Sequence, residues 1–209
     1  MATRRDAGPA PAATLRAFIA AELPAGLREA LGRLQAELAR AGVRARWVRP
    51  EGIHLTLRFL GDVPAGAVAP LAETLAAAAA GQAVLSLAAV GLGVFPGARR
   101  PRVVWVGLAG EIGGLAGLQR RLEQALAARG FPPEERPFRP HLTLGRFGDA
   151  GPPGPVADAL AAHAGRELAR FELGELVLFR SELRPSGAVY TALARGALGA
   201  RDEVSNRLT

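Results

Sequence analysis

The sequence predicts an α+β or α/β domain in which two similar halves each join a leucine-rich helix to a strand that carries the same tetrapeptide. Strand-like and helix-like segments alternate along the chain, two of the helices show leucines at helical spacing, and HLTL occurs twice. No linker of low-complexity composition divides the chain. We therefore expect one body with two lobes, with antiparallel pairing in the second half, where short turns join consecutive strands.

The pattern of apolar residues predicts the individual elements. An apolar strand over residues 15–23 ends at Pro24, which can open a helix because its missing N–H costs nothing there. Leucines at positions 27, 31, 34 and 38 predict the helix of the first half, and leucines at positions 115, 118, 122 and 126 predict that of the second. The other predicted elements are strands over residues 46–48, 53–61, 84–92, 103–108, 141–147, 168–173, 175–182 and 188–194, and helices over residues 67–80 and 156–163.

Composition limits the class of protein. The chain has 209 residues, of which 49% are hydrophobic and 22% charged, as in soluble globular proteins. It has no cysteine, which excludes disulfides, thiolate nucleophiles and cysteine-bound metals. We expect a single domain over residues 15–198 with flexible tails at 1–14 and 199–209. Neither a signal peptide nor a run of about 20 apolar residues is present, so a cytoplasmic location away from membranes is expected.

The charge is moderately basic. The net charge is +7, and all 26 basic residues are arginines. A basic surface favours a polyanionic partner such as RNA, although generic solvation explains the charge equally well. Three arginines, Arg99, Arg100 and Arg102, lie in a predicted loop. They are candidates for contacts to the RNA backbone, and generic solvation explains them equally well.

The repeated tetrapeptide is the main indication of chemistry. In a strand, residues two apart point to the same face, so each copy presents one imidazole and one hydroxyl together, His54 with Thr56 and His141 with Thr143. A neutral histidine can take a proton from water while a protonated one gives a proton to a leaving alkoxide. The threonines can donate hydrogen bonds to non-bridging phosphate oxygens. No residue cluster has the spacing of a metal site, so no metal is expected.

Other polar and aromatic residues carry weaker expectations. The third histidine, His163, lacks the pattern and is predicted to be exposed and without a role. Strict alternation puts Arg58 on the face of His54, and it puts Arg146 opposite His141 unless a bulge intervenes. Phe18 and Tyr190 are candidates either for stacking a base or for ordinary core packing.

The sequence resembles the two-histidine (2H) phosphoesterases, and within them the RNA 2′,3′-cyclic phosphodiesterases, also called 2′-5′ RNA ligases. The likeness runs from about residue 15 to residue 198 and includes the segments RAFIAAELP, HLTLRFLG, RVVWVGL, RPFRPHLTLGR and VYTALARGAL. It implies a bilobal α+β fold with two similar sheet-and-helix lobes around a central cleft. It also implies hydrolysis of a 2′,3′-cyclic phosphate end on RNA to a 2′-phosphate without a metal or cofactor, and the reverse 2′-5′ ligation.

The resemblance also implies roles for particular residues. His54 would be the proton donor to the ribose 3′-oxygen and His141 the proton acceptor that activates water. Thr56 and Thr143 would bind the phosphate, and Arg146 would contact the substrate.

Two other functions remain open. A 2H phosphodiesterase can act on a small cyclic phosphate, such as ADP-ribose 1″,2″-cyclic phosphate or a cyclic nucleotide. A non-catalytic RNA-binding module is the second alternative, and it is disfavoured because arginine would suffice for simple phosphate contact. The expected partner is RNA with a cyclic phosphate end, with tRNA fragments as one candidate source, and no obligate protein partner is indicated.

Overall fold

The computed structural model describes residues 13–148, 154–185 and 187–199, and these form one antiparallel sheet with helices packed on it. The strands are β1 (Thr14–Glu22), β2 (Arg46–Trp47), β3 (His54–Pro64), β4 (Leu85–Phe95), β5 (Val103–Gly110), β6 (His141–Arg146), β7 (Glu167–Leu173), β8 (Glu175–Arg184) and β9 (Gly187–Ala197). The helices are α1 (Ala25–Arg40), α2 (Val68–Ala79), α3 (Ile112–Ala127) and α4 (Val156–Ala162), with 3₁₀ turns at Pro50–Gly52 and Ala65–Ala67.

The two HLTL strands lie side by side at the centre of the sheet. The strand order is β7-β4-β5-β6-β3-β1-β8-β9, and β2 pairs with β6. The seam between β6 and β3 is joined by the pair Leu55 and Leu142, both fully buried. The predicted α+β fold with two similar sheet-and-helix lobes is therefore confirmed, and its two halves share one continuous sheet.

The helices cover one face of the sheet. Their leucines pack against strand residues of one parity, such as Ile19, Leu87 and Val106, in a single large core. Each fully buried aliphatic side chain contributes roughly 1.5–3 kcal/mol of transfer free energy. This packing fixes which face each strand residue takes, and it leaves the opposite face available for a cleft.

The opposite face carries a small aromatic floor in the half that contains β1. Phe18, Ala20, Val177 and Phe179 form a second buried cluster, and Tyr190 packs against it. Phe18 thus belongs to the floor of the cleft.

Each HLTL strand contains a β-bulge at the third residue after its histidine. Ile19 and Ala20 are consecutive in β1, yet they pair with Arg58 and Thr56 of β3, so Leu57 is the extra residue. In β6 the register likewise passes from Gly145 to Thr143. The bulge turns Arg58 inward, where it is 6% exposed, so the predicted placement on the His54 face is wrong.

The same kind of bulge returns Arg146 to the face of His141 and Thr143. Strict alternation would put Arg146 on the face opposite His141. The extra residue of the bulge shifts Arg146 by one position in the alternation, so it lies on the same face as His141. Gly145 itself lies on the buried side of the bulge. A Cβ at this position would lie only 3.0 Å from the backbone oxygen of Arg46, so the bulge favours glycine there.

None of the helices in the described part of the chain has the length and hydrophobicity needed to cross a bilayer. Residues 1–12 and 200–209 of the predicted tails lie outside the described residues. The predicted domain boundaries at 15 and 198 stay predictions.

Candidate active site

The register of the central seam brings the two motifs together. Leu55 pairs with Leu142 in antiparallel register. Continuing that register by one residue each way puts His54 beside Thr143 and Thr56 beside His141, and all four point to the same face. Directly opposed residues have Cβ atoms about 4.5–5.5 Å apart, so the two motifs form one quartet of two imidazoles and two hydroxyls.

Both histidines are oriented by the same local hydrogen bond. Nδ1 of His54 lies 2.9 Å from the carbonyl oxygen of Gly52, and Nδ1 of His141 lies 2.7 Å from that of Arg139. A carbonyl oxygen only accepts, so each Nδ1 carries a proton and donates it. In the neutral tautomer Nε2 then holds the lone pair, and in the imidazolium Nε2 holds a second proton to give. Either ring is thus prepared for acid or base work at Nε2.

His54 sits in an aromatic enclosure. Its ring lies 4.7 Å from that of Phe18 and 5.1 Å from that of Tyr190, the latter nearly perpendicular at 88°. Burial in this enclosure lowers the pKa of His54 to about 4, and the hydrogen bond to Gly52 only partly counteracts the effect of burial. His54 is therefore neutral in the unliganded protein near pH 7.

His141 has different neighbours. Phe95 meets its ring edge-on at 5.1 Å and 87°, and Trp105 lies 6.1 Å away. The Trp105 ring passes across Gly93 so closely that a Cβ there would lie 2.2 Å from it. Gly93 thus makes room for the indole beside His141, whose ring it meets at 60°. Sequence reasoning gave no role to Phe95, Trp105 or Gly93.

Arg146 lies at the His54 end of the quartet. Its side chain is exposed, and its charge acts on Tyr190, the same residue that meets the His54 ring. Burial raises the pKa of the Tyr190 hydroxyl, while Arg146 and Arg16 partly oppose that rise. A guanidinium here can take a non-bridging oxygen of a phosphate held by the quartet.

A cavity of about 550 Å³ opens at the other end, beside His141. Its walls combine aromatic rings with polar side chains, a mixture that suits a nucleoside. The residues that line it include Thr56, Phe59, Phe95, Glu134, Arg136, Phe138 and Arg139. Phe59 is 56% exposed because the bulge in β3 turns it towards this side. Alternation placed Phe59 on the opposite face, so its position here had no signal in the sequence.

The remaining predicted residues lie elsewhere. The prediction that His163 is exposed is wrong, because it is 6% exposed and forms contacts with Glu37 and Arg166. Arg99 and Arg100 are exposed in the turn between β4 and β5, and RNA contact by this loop stays a prediction. Among the described residues, no three His, Asp or Glu side chains come together as a metal site.

An antiparallel sheet with paired His-x-Thr strands at its central seam defines a two-histidine phosphoesterase. The family model described as LigT-like phosphoesterase matches the chain twice, over residues 22–105 and 106–190. The chain belongs to this family, and each of its halves carries one copy of the repeat.

Individual relatives agree with this assignment. An RNA 2′,3′-cyclic phosphodiesterase of Methanothermobacter thermautotrophicus is 35% identical over 177 residues, which is 85% of this chain and 95% of the relative. A crystal structure from Thermus thermophilus superposes with a TM-score of 0.73 at 29% identity, covering 88% of this chain and 98% of that one. Escherichia coli LigT in complex with 3′-AMP superposes with a TM-score of 0.70 at 27% identity, covering 90% and 100% of the two chains.

Proposed function

We propose that this protein is an RNA 2′,3′-cyclic phosphodiesterase that opens the cyclic phosphate to a 2′-phosphate by acid–base catalysis between His54 and His141. The observation that carries the proposal is the quartet at the β3–β6 seam, in which both rings donate Nδ1–H to backbone carbonyls. The chemistry then needs only the two Nε2 atoms and donors to the phosphate oxygens.

The reaction is an in-line displacement at phosphorus. Nε2 of His141 removes a proton from water as the water oxygen bonds to phosphorus. The bond from phosphorus to the ribose 3′-oxygen breaks, and His54 gives that oxygen a proton through Nε2. Thr56 and Thr143 donate hydrogen bonds to the non-bridging oxygens, where charge accumulates. When the 5′-hydroxyl of a second RNA takes the place of water, the same displacement bonds its oxygen to phosphorus, releases the protonated 3′-oxygen and leaves a 2′-5′ linkage.

The acid role requires His54 to gain a proton when substrate binds. Its pKa is about 4 in the unliganded protein because of burial. An anionic phosphate within hydrogen-bond distance favours the imidazolium and raises this pKa. We therefore propose that binding of the anionic substrate causes His54 to take up the proton that it later donates. His141, which is more open to solvent, acts as the base.

An RNA end is favoured over a small cyclic phosphate by what surrounds the quartet. The cavity beside His141 has the size of a nucleoside site, and arginines line it at positions 136 and 139. Arg146 supplies a further cation at the opposite end. The 2′,3′-cyclic phosphodiesterase activity named for the relatives and the 3′-AMP bound by E. coli LigT support a nucleotide in the cleft.

The test is incubation with a short RNA that ends in a 2′,3′-cyclic phosphate, in EDTA, with 2′- and 3′-phosphate products resolved. We expect the 2′-phosphate to accumulate. Replacing either cleft histidine, as His54→Gln or His141→Gln, should cost on the order of 10² to 10⁴ in rate. The matched control is His163→Gln, which removes the one histidine outside the cleft and should retain activity.

Each other outcome redirects the assignment. Hydrolysis of ADP-ribose 1″,2″-cyclic phosphate but not of RNA would assign the site to small cyclic phosphates. RNA binding without turnover of any cyclic phosphate would favour the binding module, and loss of turnover on chelation would contradict the metal-free mechanism.

A further inference from the structure

Two buried polar clusters lie behind the sheet, on the face that the helices cover, and each joins one motif strand to the segment that precedes the other motif. We propose that Gln35 in one cluster and the Arg58–Glu123 pair in the other are positioning groups, each of which holds the segment that orients one cleft histidine. Gln35 does not line the cleft, and Arg58 reaches it only in the wall of the cavity beside His141. We infer that the effect of both clusters on the histidines passes through backbone carbonyls.

Gln35 holds the segment that leads to His54. Its side-chain amide donates to the carbonyl oxygens of Val48, at 2.7 Å, and of Leu144, at 2.9 Å. Leu144 is the bulge residue of β6, and its carbonyl oxygen also accepts the N–H of Val48 at 2.8 Å. The 3₁₀ turn follows directly, and its last residue, Gly52, supplies the carbonyl that accepts Nδ1–H of His54.

The Arg58–Glu123 pair holds the segment that leads to His141. Arg58 follows the bulge of β3, and its Nη1 lies 3.2 Å from Oε2 of Glu123 on α3. Its other terminal nitrogen donates to the carbonyl oxygen of Pro132. The chain from Pro132 leads along the wall of the cavity to Arg139, whose carbonyl oxygen accepts Nδ1–H of His141.

The two clusters occupy equivalent places in the two halves. Gln35 lies between Leu34 and Leu38 in α1, as Gln119 lies between Leu118 and Leu122 in α3, and all of these residues are buried. Gln119 donates to Glu123 at 3.1 Å and so belongs to the second cluster. Each cluster thus connects the bulge of one motif strand to the segment that precedes the histidine of the other motif. The amide of Gln35 makes one connection, and the Arg58–Glu123 ion pair makes the other.

This arrangement predicts effects that are specific to one histidine. The variants are Q35M and the double variant R58M/E123L, which removes both charges together so that no unpaired ion is left in the core. Long-range ¹H–¹⁵N spectra of the ring nitrogens report the tautomer, and single His→Gln variants assign the three histidines.

We expect Q35M to mix the tautomers of His54 and leave His141 unchanged, and R58M/E123L to do the reverse. Both should lower kcat tenfold to a hundredfold, with a small change in KM, because misplacement of a catalytic group by about 1 Å has costs of this order. The control is R129M, which breaks the exposed pair between Arg129, just after the end of α3, and Glu73 of α2, and should match the parent protein.

Two results would overturn the proposal. One is a lowered melting temperature in both variants with ring-nitrogen spectra and kcat like those of the parent, since that is the result of a purely structural role. The other is equal disturbance of both histidines by either variant. If R58M/E123L does not fold, R58K takes its place, because lysine keeps the charge but cannot reach Glu123 and Pro132 together.

The proposal rests on the proposed function only for its kinetic part. The spectra are recorded without substrate, so they test positioning even if the protein acts on another cyclic phosphate.

Discussion

Phe59 and Arg146 occupy equivalent positions, each being the fifth residue after the histidine of its motif and the second after the bulge. Both point to the cleft face, and both are exposed. Because β3 and β6 are antiparallel, Phe59 lies towards the His141 end of the quartet and Arg146 towards the His54 end. A pseudo-symmetric site is thus made asymmetric, with an aromatic ring at one end and a cation at the other.

We expect Arg146→Gln to lower kcat/KM by about tenfold to a hundredfold on RNA with a cyclic phosphate end. The loss of a charge-assisted hydrogen bond to phosphate has an energy of roughly 1.5–3 kcal/mol, which corresponds to this range. Steady-state hydrolysis of one substrate by the two proteins measures it. Arg170→Gln is the matched control, since Arg170 lies exposed on the edge strand β7, and equal losses in the two variants would contradict a specific role for Arg146.

We expect Phe59→Ala to raise KM for cyclic phosphates that carry a base, because stacking of a base on an aromatic ring contributes roughly 1–3 kcal/mol. A methyl riboside 2′,3′-cyclic phosphate has no base to stack, so its KM should be the same for the parent and the variant. Leu183→Ala removes another exposed apolar side chain, 74% exposed on β8, and serves as the control. A similar rise in KM for the substrate without a base would show that Phe59 acts on the fold of the cleft.

Alternation and leucine spacing suffice to predict the helices, the strands and the four side chains of the quartet. His54 and Thr56 precede the bulge of their strand, so a period of two places them correctly. The same period places Arg58 and Arg146 on the wrong faces, because a bulge adds one residue before each of them. The residue types at the bulges do not distinguish them from regular strand.

The sequence pattern also could not predict contacts between side chains that are far apart in the chain. The bulge turns Arg58 inward, and there it pairs with Glu123, which lies 65 residues away on α3. His163 is also buried, and Glu37 of α1 lies beside it. Such pairings depend on which helix covers which strand, and no local pattern encodes that.

Binding of a cyclic phosphate should take up close to one proton at pH 6 to 7. The reason is that His54, whose pKa is about 4 when free, must carry a proton beside the phosphate anion. Titration calorimetry of the His141→Gln variant with adenosine 2′,3′-cyclic phosphate, in two buffers of different ionisation enthalpy, measures the uptake without turnover. Proton uptake that persists in a variant lacking both cleft histidines would assign it to another group.

The lowered pKa of His54 also predicts how stability depends on pH. The folded protein holds His54 at a pKa of about 4 because of burial, whereas the unfolded chain has the ordinary value of 6.5. Between these values the unfolded state binds more protons, so the contribution of His54 to the free energy of unfolding is full above pH 6.5. It is lost at up to about 1.4 kcal/mol per pH unit as the pH falls towards 4. Urea unfolding of the parent and of His54→Gln at pH 7.5, 5.5 and 4.5 measures this. We expect the variant to lose less stability than the parent over that interval, and parallel curves for the two proteins would show that burial does not perturb His54.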